Sequence, residues 1–196
     1  AVARGRGGMA EVYKIAIIGS GPAGLSAAAH AAKKGLSHIL LEKTDHLSDT
    51  IYRYQKGKHV MATPSVLVLR SDCEFDAGKR EKILDQWNQD TRAAGVNVKF
   101  NADVKAITGE KGAFTIELKK GDPVQAETIV LAVGTQGNPN LMRCDGGNLP
   151  HVQYQLDDPG EYTDEHIFVI GGGDAGIENA MRSEEHTSEL QSLSSI

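Results

Sequence analysis

KIAIIGSGPAG, residues 14–24, decides how the rest of the chain is read. Its first five residues, the lysine aside, are apolar and rich in isoleucine, as in a short strand buried on both faces. Gly19 ends that strand. Pro22 suits the first turn of a helix, because its φ is already helical and its missing N–H would have had no partner there. Ala23, Ala27, Ala28 and Ala31 let the helix lie close on a sheet, and Gly35 supplies its stop. A second apolar run, HILLE over residues 38–42, completes a βαβ unit of about thirty residues.

Inside this unit GSGPAG fits the spacing G-x-G-x-x-G. Gly19 makes the tight turn, Gly21 admits a pyrophosphate against the backbone, and Gly24 lets helix meet strand. The residues between them, Ser20, Pro22 and Ala23, complete a helix start whose unpaired N–H groups and positive dipole end attract an anion without any basic side chain. Glu42 stands 18 residues after Gly24, where a carboxylate accepts from ribose hydroxyls and repels a 2′-phosphate. Glu42 and its neighbour Lys43 are therefore expected to line the cofactor. Alone, such a loop could be only a glycine-rich turn packing a helix on a strand.

Outward from it, residues 43–77 show no period and read as an irregular excursion. Ile83, Leu84, Trp87 and Ala94 recur at helical spacing over 78–94, closed by Gly95, and a strand is expected over 96–100. Alternation over 104–107 and 114–118, with Gly109 and Gly112 between, predicts an antiparallel hairpin that interrupts the βαβ rhythm. TIVLAV, residues 128–133, predicts another buried strand ending at Gly134. A linker rich in Gly, Asn and Pro over 135–160 leads to the strand HIFVI, residues 166–170, and then to GGGDAG, residues 171–176. This second loop again follows an apolar strand and precedes a helix-compatible stretch, 177–181. Gly171, Gly173, Asp174 and Gly176 are its expected cofactor-binding residues. Glu178 either turns inward in the first helical turn or faces solvent as a complement to the dipole.

Composition narrows the classes. With 40% hydrophobic and 24% charged residues the chain is an ordinary globular one, and its net charge of −5 gives no reason to expect nucleic acid or an anionic membrane. No apolar run approaches the roughly 20 residues of a membrane helix. Two cysteines, Cys73 and Cys144, far apart and outside any C-x-x-C, argue against a disulfide scaffold and favour a reducing cytoplasm. Seven histidines show no ligand spacing, so no metal is expected. Residues 1–8, AVARGRGG, read as an upstream extension before Met9, since two arginines give too little charge for an RNA-binding tail. RSEEHTSELQS, residues 182–192, resembles translated sequencing adapter, and residues 182–196 are expected to be foreign to the protein; a natural polar tail is the alternative.

The paired glycine loops resemble those of flavoproteins with two dinucleotide-binding domains, the pyridine nucleotide-disulfide oxidoreductases of the thioredoxin-reductase type. The resemblance spans residues 13–181. It implies an α/β fold: a Rossmann-like FAD-binding domain over 9–160 with a β-hairpin or meander insert, then the first strand and helix of a second Rossmann-like, NAD(P)-binding domain over 161–181. Thr128, Ala132 and Gly134 are similar to the strand-and-turn motif that closes over the flavin, and Val104 falls where the family contacts adenine through its backbone.

The implied cofactors are FAD at the first loop and NAD(P)H at the second, with a small-molecule or protein electron acceptor and a homodimeric parent protein as the expectation. The residue choosing NADH or NADPH is expected about 20 residues past the second loop. Neither place where the family carries its redox cysteine pair holds one here: residues 43–72 and 149–165 contain no cysteine. Cys73 and Cys144 read as buried or incidental thiols, and no catalytic acid, base or nucleophile stands out. His46, Tyr52 and Tyr54 receive no role. The reaction implied is hydride transfer from nicotinamide to flavin and on to an acceptor; the chain by itself is expected to bind FAD weakly. A flavin-dependent monooxygenase and a non-catalytic nucleotide-binding redox sensor are the other readings.

Overall fold

The computed structural model describes residues 11–62, 71–135, 140–156, 158–184 and 190–193. Strand β1 (Val12–Ile18) is exposed at its start and buried over its last three residues; helix α1 (Pro22–Lys33) follows it. Strand β2 (His38–Leu41) runs parallel to β1, with Ile15 opposite His38 and Ile18 opposite Leu41. All four β2 residues are buried, which is why Ile39, Leu40 and Leu41 follow one another without alternation. His38 is tolerated because both ring nitrogens are used: Nδ1 donates to the Leu36 carbonyl and Nε2 accepts from the Asn97 N–H.

The stretch read as irregular holds a one-turn helix α2 (Asp49–Tyr52) and strand β3 (His59–Val60), while residues 63–70 lie outside the described residues. β3 pairs antiparallel with β4 (Gly78–Lys79), so helix α3 (Arg80–Ala93) starts two residues later than its sequence suggests. Elements this short carry no readable period. Helix α3 buries Ile83, Leu84, Trp87 and Thr91. Its closing turn continues past Gly95, where the Val96 N–H donates to the Thr91 carbonyl, and this shrinks the expected 96–100 strand to β5 (Val98–Lys99) on the edge beside β2.

Strands β6 (Val104–Glu110) and β7 (Ala113–Leu118) form the expected hairpin, with an irregular register between Val104 and Ala106. Strand β8 (Val124–Leu131) starts well before the apolar run that announced it. Gln125 and Glu127 alternate there with the buried Val124 and Ala126, so the strand's first half is half-exposed and reads as polar. β8 pairs antiparallel with β7 at one end and parallel with β1 along its length, giving the sheet order β5-β2-β1-β8-β7-β6. The result is a parallel Rossmann-like sheet carrying an antiparallel meander. Ala16, Ile18, Ile39 and Leu41 pack with Ile116, Leu118, Val124 and Ala126 in one apolar cluster between the two parts.

By its internal contacts the chain divides into two units, residues 1–52 with 59–137 and residues 53–58 with 138–196. In the second unit a 3-10 turn (Pro159–Tyr162) precedes strand β9 (Ile167–Ile170), helix α4 (Asp174–Glu184) and strand β10 (Leu190–Leu193), which lies parallel to β9. Helix α4 does not end at Met181, where the sequence loses its helical period, but runs to Glu184. Residues 190–193, within the 182–196 stretch expected to be foreign, are paired strand. Segment 53–58 is tied to this unit by polar contacts: Gln55 Nε2 donates to Asn179 Oδ1 (2.5 Å), and Lys58 Nζ to Glu178 Oε2 (2.9 Å). Among the described residues no helix is long and apolar enough to cross a membrane.

Candidate dinucleotide site

Gly19 leaves β1 at φ +99°, a conformation costly for any side chain. A Cβ there would also lie 2.5 Å from the Ala132 carbonyl oxygen, because the chain leaving β8, the parallel neighbour of β1, passes close beside the turn. Ala132 is held in place by donating its N–H to the Ile18 carbonyl (2.8 Å). At Gly24 a Cβ would stand 1.8 Å from the Gly19 carbonyl oxygen, so helix and turn touch only because both residues are glycine. Gly21 differs: nothing lies within 4 Å of its would-be Cβ. Two of the glycines thus close the loop on itself, and the middle one leaves open space.

That space faces the start of α1. Gly21 is the N-cap, no side chain caps the helix, Pro22 sits in its first turn and no acidic residue lies there. The amides that follow are donors without intrahelical partners, at the positive end of the dipole. An uncapped helix start beside an open glycine fits a diphosphate.

Glu42 is only 5% exposed, and the network around it is denser than the sequence suggests. Oε2 accepts from the Ser20 N–H (3.0 Å) and the Ser20 hydroxyl (2.5 Å); Oε1 accepts from the Thr44 N–H and the Thr44 hydroxyl, both at 3.0 Å. Four donors fill about the four lone-pair sites a carboxylate has. Glu42 therefore ties the glycine loop to the exit of β2, and a ribose must share it with these donors. Ser20, fully buried, in turn accepts from the Ser48 N–H (2.9 Å) on its hydroxyl and from the Ser48 hydroxyl (2.8 Å) on its carbonyl. Ser48 sits at φ +58°, a strained setting for a non-glycine residue.

The structure thus gathers Gly19, Ser20, Gly21, Pro22, Ala23, Gly24, Glu42 and Ala132 around one turn. Gly134 is exposed just beyond, at φ +66°. Lys43, the next residue after Glu42, is exposed. Val104 opens β6 at the irregular register and packs on the apolar cluster. Thr44 and Ser48 were invisible as site residues, although a buried carboxylate demands donors and they are the nearest hydroxyls after β2. His46 and Tyr52 are occupied with each other and their neighbours: the rings stack at 3.8 Å, and His46 meets Asp45 and Asp49 at 2.7 and 3.0 Å.

In the second unit Gly171 turns at φ +116° and a Cβ on Gly176 would lie 2.3 Å from the Gly171 carbonyl oxygen, the same contact that joins Gly24 to Gly19. Nothing lies within 4 Å of a Cβ at Gly172 or Gly173, and Asp174 opens α4. Glu178 is committed to Lys58. Both cysteines are free; burial, then Asp90 and Asp72, push the Cys73 thiol up, away from a reactive thiolate, and Cys144 is exposed.

Turn, uncapped helix and inward carboxylate define a Rossmann-type dinucleotide-binding protein whose chain carries the loop twice. Residues 16–195 match the model of the pyridine nucleotide-disulphide oxidoreductase family, and the chain belongs to that family. A thioredoxin reductase of Peptoclostridium litorale is 29% identical over 181 residues, 88% of this chain and 51% of the relative. A ferredoxin–NADP reductase of Ignicoccus hospitalis is 25% identical over 164 residues, 84% of this chain and 50% of the relative. Among solved structures, bacillithiol disulfide reductase Bdr from Staphylococcus aureus superposes with a TM-score of 0.80 at 24% identity, covering 94% of this chain and 57% of the other. The chain spans about half the length of the curated relatives it matches.

Proposed function

We propose that the protein is a flavin-dependent oxidoreductase that binds FAD at residues 19–24 and NAD(P)H at residues 171–176, and passes reducing equivalents from nicotinamide through flavin to an acceptor without a protein dithiol. The observation that carries this is the first loop: an open Gly21 before an uncapped α1, with Glu42 turned toward it. The second loop, rebuilt on the same glycine-to-glycine contact, supports a second dinucleotide. Bound flavin supplies hydride acceptance and onward electron release.

The chain's own part is positioning. The first amides of α1 hold a diphosphate, Gly21 leaves room for it, and Ala132 beneath Gly19 fixes the turn. Glu42 favours a ribose with free hydroxyls over a 2′-phosphorylated one, which suits FAD. The acceptor takes electrons directly from flavin, because Cys73 and Cys144 are both free and form no pair for disulfide exchange; ferredoxin–NADP reductases are among the relatives.

Titrating the chain with FAD and following flavin fluorescence tests the first step. Saturable quenching in the wild type, lost in Gly21→Asp with its carboxylate set in the open space, is the expected result. Equal binding by both proteins defeats the assignment of the loop. NAD(P)H oxidation that stalls without ferredoxin or ferricyanide supports direct transfer, whereas oxygen uptake with substrate hydroxylation points to monooxygenase chemistry.

A further inference from the structure

The four donors on Glu42 are not equivalent. On Oε2, the Ser20 N–H is fixed by the turn, and the Ser20 hydroxyl, at 2.5 Å, is held by the Ser48 N–H it accepts from at the same time. On Oε1, the Thr44 N–H is fixed by the backbone, but the Thr44 hydroxyl has one proton and two acceptors: Glu42 Oε1 at 3.0 Å and the His46 carbonyl oxygen at 2.8 Å. The second acceptor is held in place. His46 is clasped between Asp45 and Asp49 and stacked on Tyr52, and the Tyr52 N–H donates to the Ser48 carbonyl (2.9 Å), closing the turn around it.

We infer that Thr44 is a positioning residue for the cofactor's adenosine ribose, acting as a two-position donor. The inference rests on the flavin reading of the first loop. In the free protein the hydroxyl proton lies toward Oε1, so the buried carboxylate keeps all four donors. When a ribose hydroxyl donates to Oε1, the Thr44 proton turns to the His46 carbonyl, and neither oxygen is left wanting. Oε1 is therefore the ribose-accepting atom and Oε2 the structural one. The exchange trades a hydrogen bond to a charged acceptor for one to a neutral acceptor, so Thr44 lowers affinity slightly while protecting the empty site.

This gives an unusual expected sign. Thr44→Val removes the hydroxyl in both states, but the free state loses the stronger bond, so FAD binds about five-fold more tightly than to wild type, while Thr44→Ser binds like wild type. The melting temperature of Thr44→Val falls without ligand and recovers toward wild type with saturating FAD. ADP, titrated calorimetrically, shows the same gain in Thr44→Val, and 2′,3′-dideoxy-ADP, which has no hydroxyl to offer Oε1, shows none.

Weaker FAD binding by Thr44→Val, or an equal change for ADP and its dideoxy analogue, overturns the inference. A variant recoverable only in the presence of FAD supports it; one that fails to fold even with FAD overturns it, because the hydroxyl is then needed in both states. If the wild type binds neither FAD nor ADP, the flavin reading itself fails and takes this inference with it.

Discussion

The two glycine loops share the turn itself and differ in what surrounds it. Gly24 meets Gly19, and Gly176 meets Gly171, at 1.8 and 2.3 Å from where a side chain would begin. The first loop follows a strand that is buried where it matters and is locked by Ser20, Glu42 and Ser48, all 5% exposed or less. The second follows a strand whose Phe168 and Ile170 are 61% and 67% exposed, and its neighbouring carboxylate, Glu178, holds Lys58 in a half-exposed ion pair. One loop is fixed by desolvated hydrogen bonds, the other by packing of its glycines and a solvated charge pair. Buried hydrogen bonds to a charged group are worth more than a screened ion pair, so the first loop should be the stiffer.

The largest effect follows from the shared contact. Gly24→Ala sets a methyl group against the Gly19 carbonyl, which is backbone and cannot swing aside; a loss of about 3 kcal/mol or more and of FAD binding is expected. Gly176→Ala meets the same obstacle in the second unit but should leave FAD affinity unchanged. Thermal melts and FAD titrations of both variants check this. A Gly176→Ala protein that no longer binds FAD would show that the loops are not independent.

The next effect probes the difference between the carboxylates. Glu42→Gln places an amide NH2 where only donors point: the Thr44 hydroxyl can turn to His46, but the Thr44 and Ser20 amides cannot move. A cost of about 2–3 kcal/mol is expected for the unsatisfied groups. Glu178→Gln removes only the Lys58 pair and should cost about 0.5 kcal/mol. Comparable losses in urea denaturation would erase the distinction between a buried and a solvated clasp.

Much of this was legible in the sequence for a simple reason: backbone constraints leave single-residue marks. Gly19, Gly21 and Gly24 are spaced by the turn itself, and the burial of β2 on both faces shows as Ile39, Leu40 and Leu41 following one another without alternation. Side-chain networks leave no such mark. Thr44 and Ser48 look like any polar loop residues, and nothing in TDHLSD, residues 44–49, shows that one hydroxyl has two acceptors and another serine stands at positive φ. The early start of β8 escaped because a strand exposed on one face alternates and so breaks an apolar run. The reach of α4 to Glu184 escaped because Arg182, Ser183 and Glu184 add less than one turn to the helix and no apolar period.

The smallest effect lies at the far end of the first helix. Asp72 receives Lys33 Nζ at 2.5 Å and His30 Nδ1 at 2.7 Å, both from the last turn of α1, where basic side chains also complement the dipole. Lys33 first, then His30, hold the Asp72 carboxyl below the usual carboxylate range. A lowered folded pKa means that its contribution is complete above the ordinary value of about 3.9 and is lost as pH falls through the lowered one. The cluster is solvent-facing and screened, so the wild type and Asp72→Asn should melt within about 2 °C of each other at pH 7. That gap should close in 1 M salt and again toward pH 3. A gap at pH 7 as wide as that of Glu42→Gln would mean that α1 is anchored at its C-terminal end as firmly as at the glycine loop, and the contrast between buried network and solvated clasp would lose its basis within the first unit.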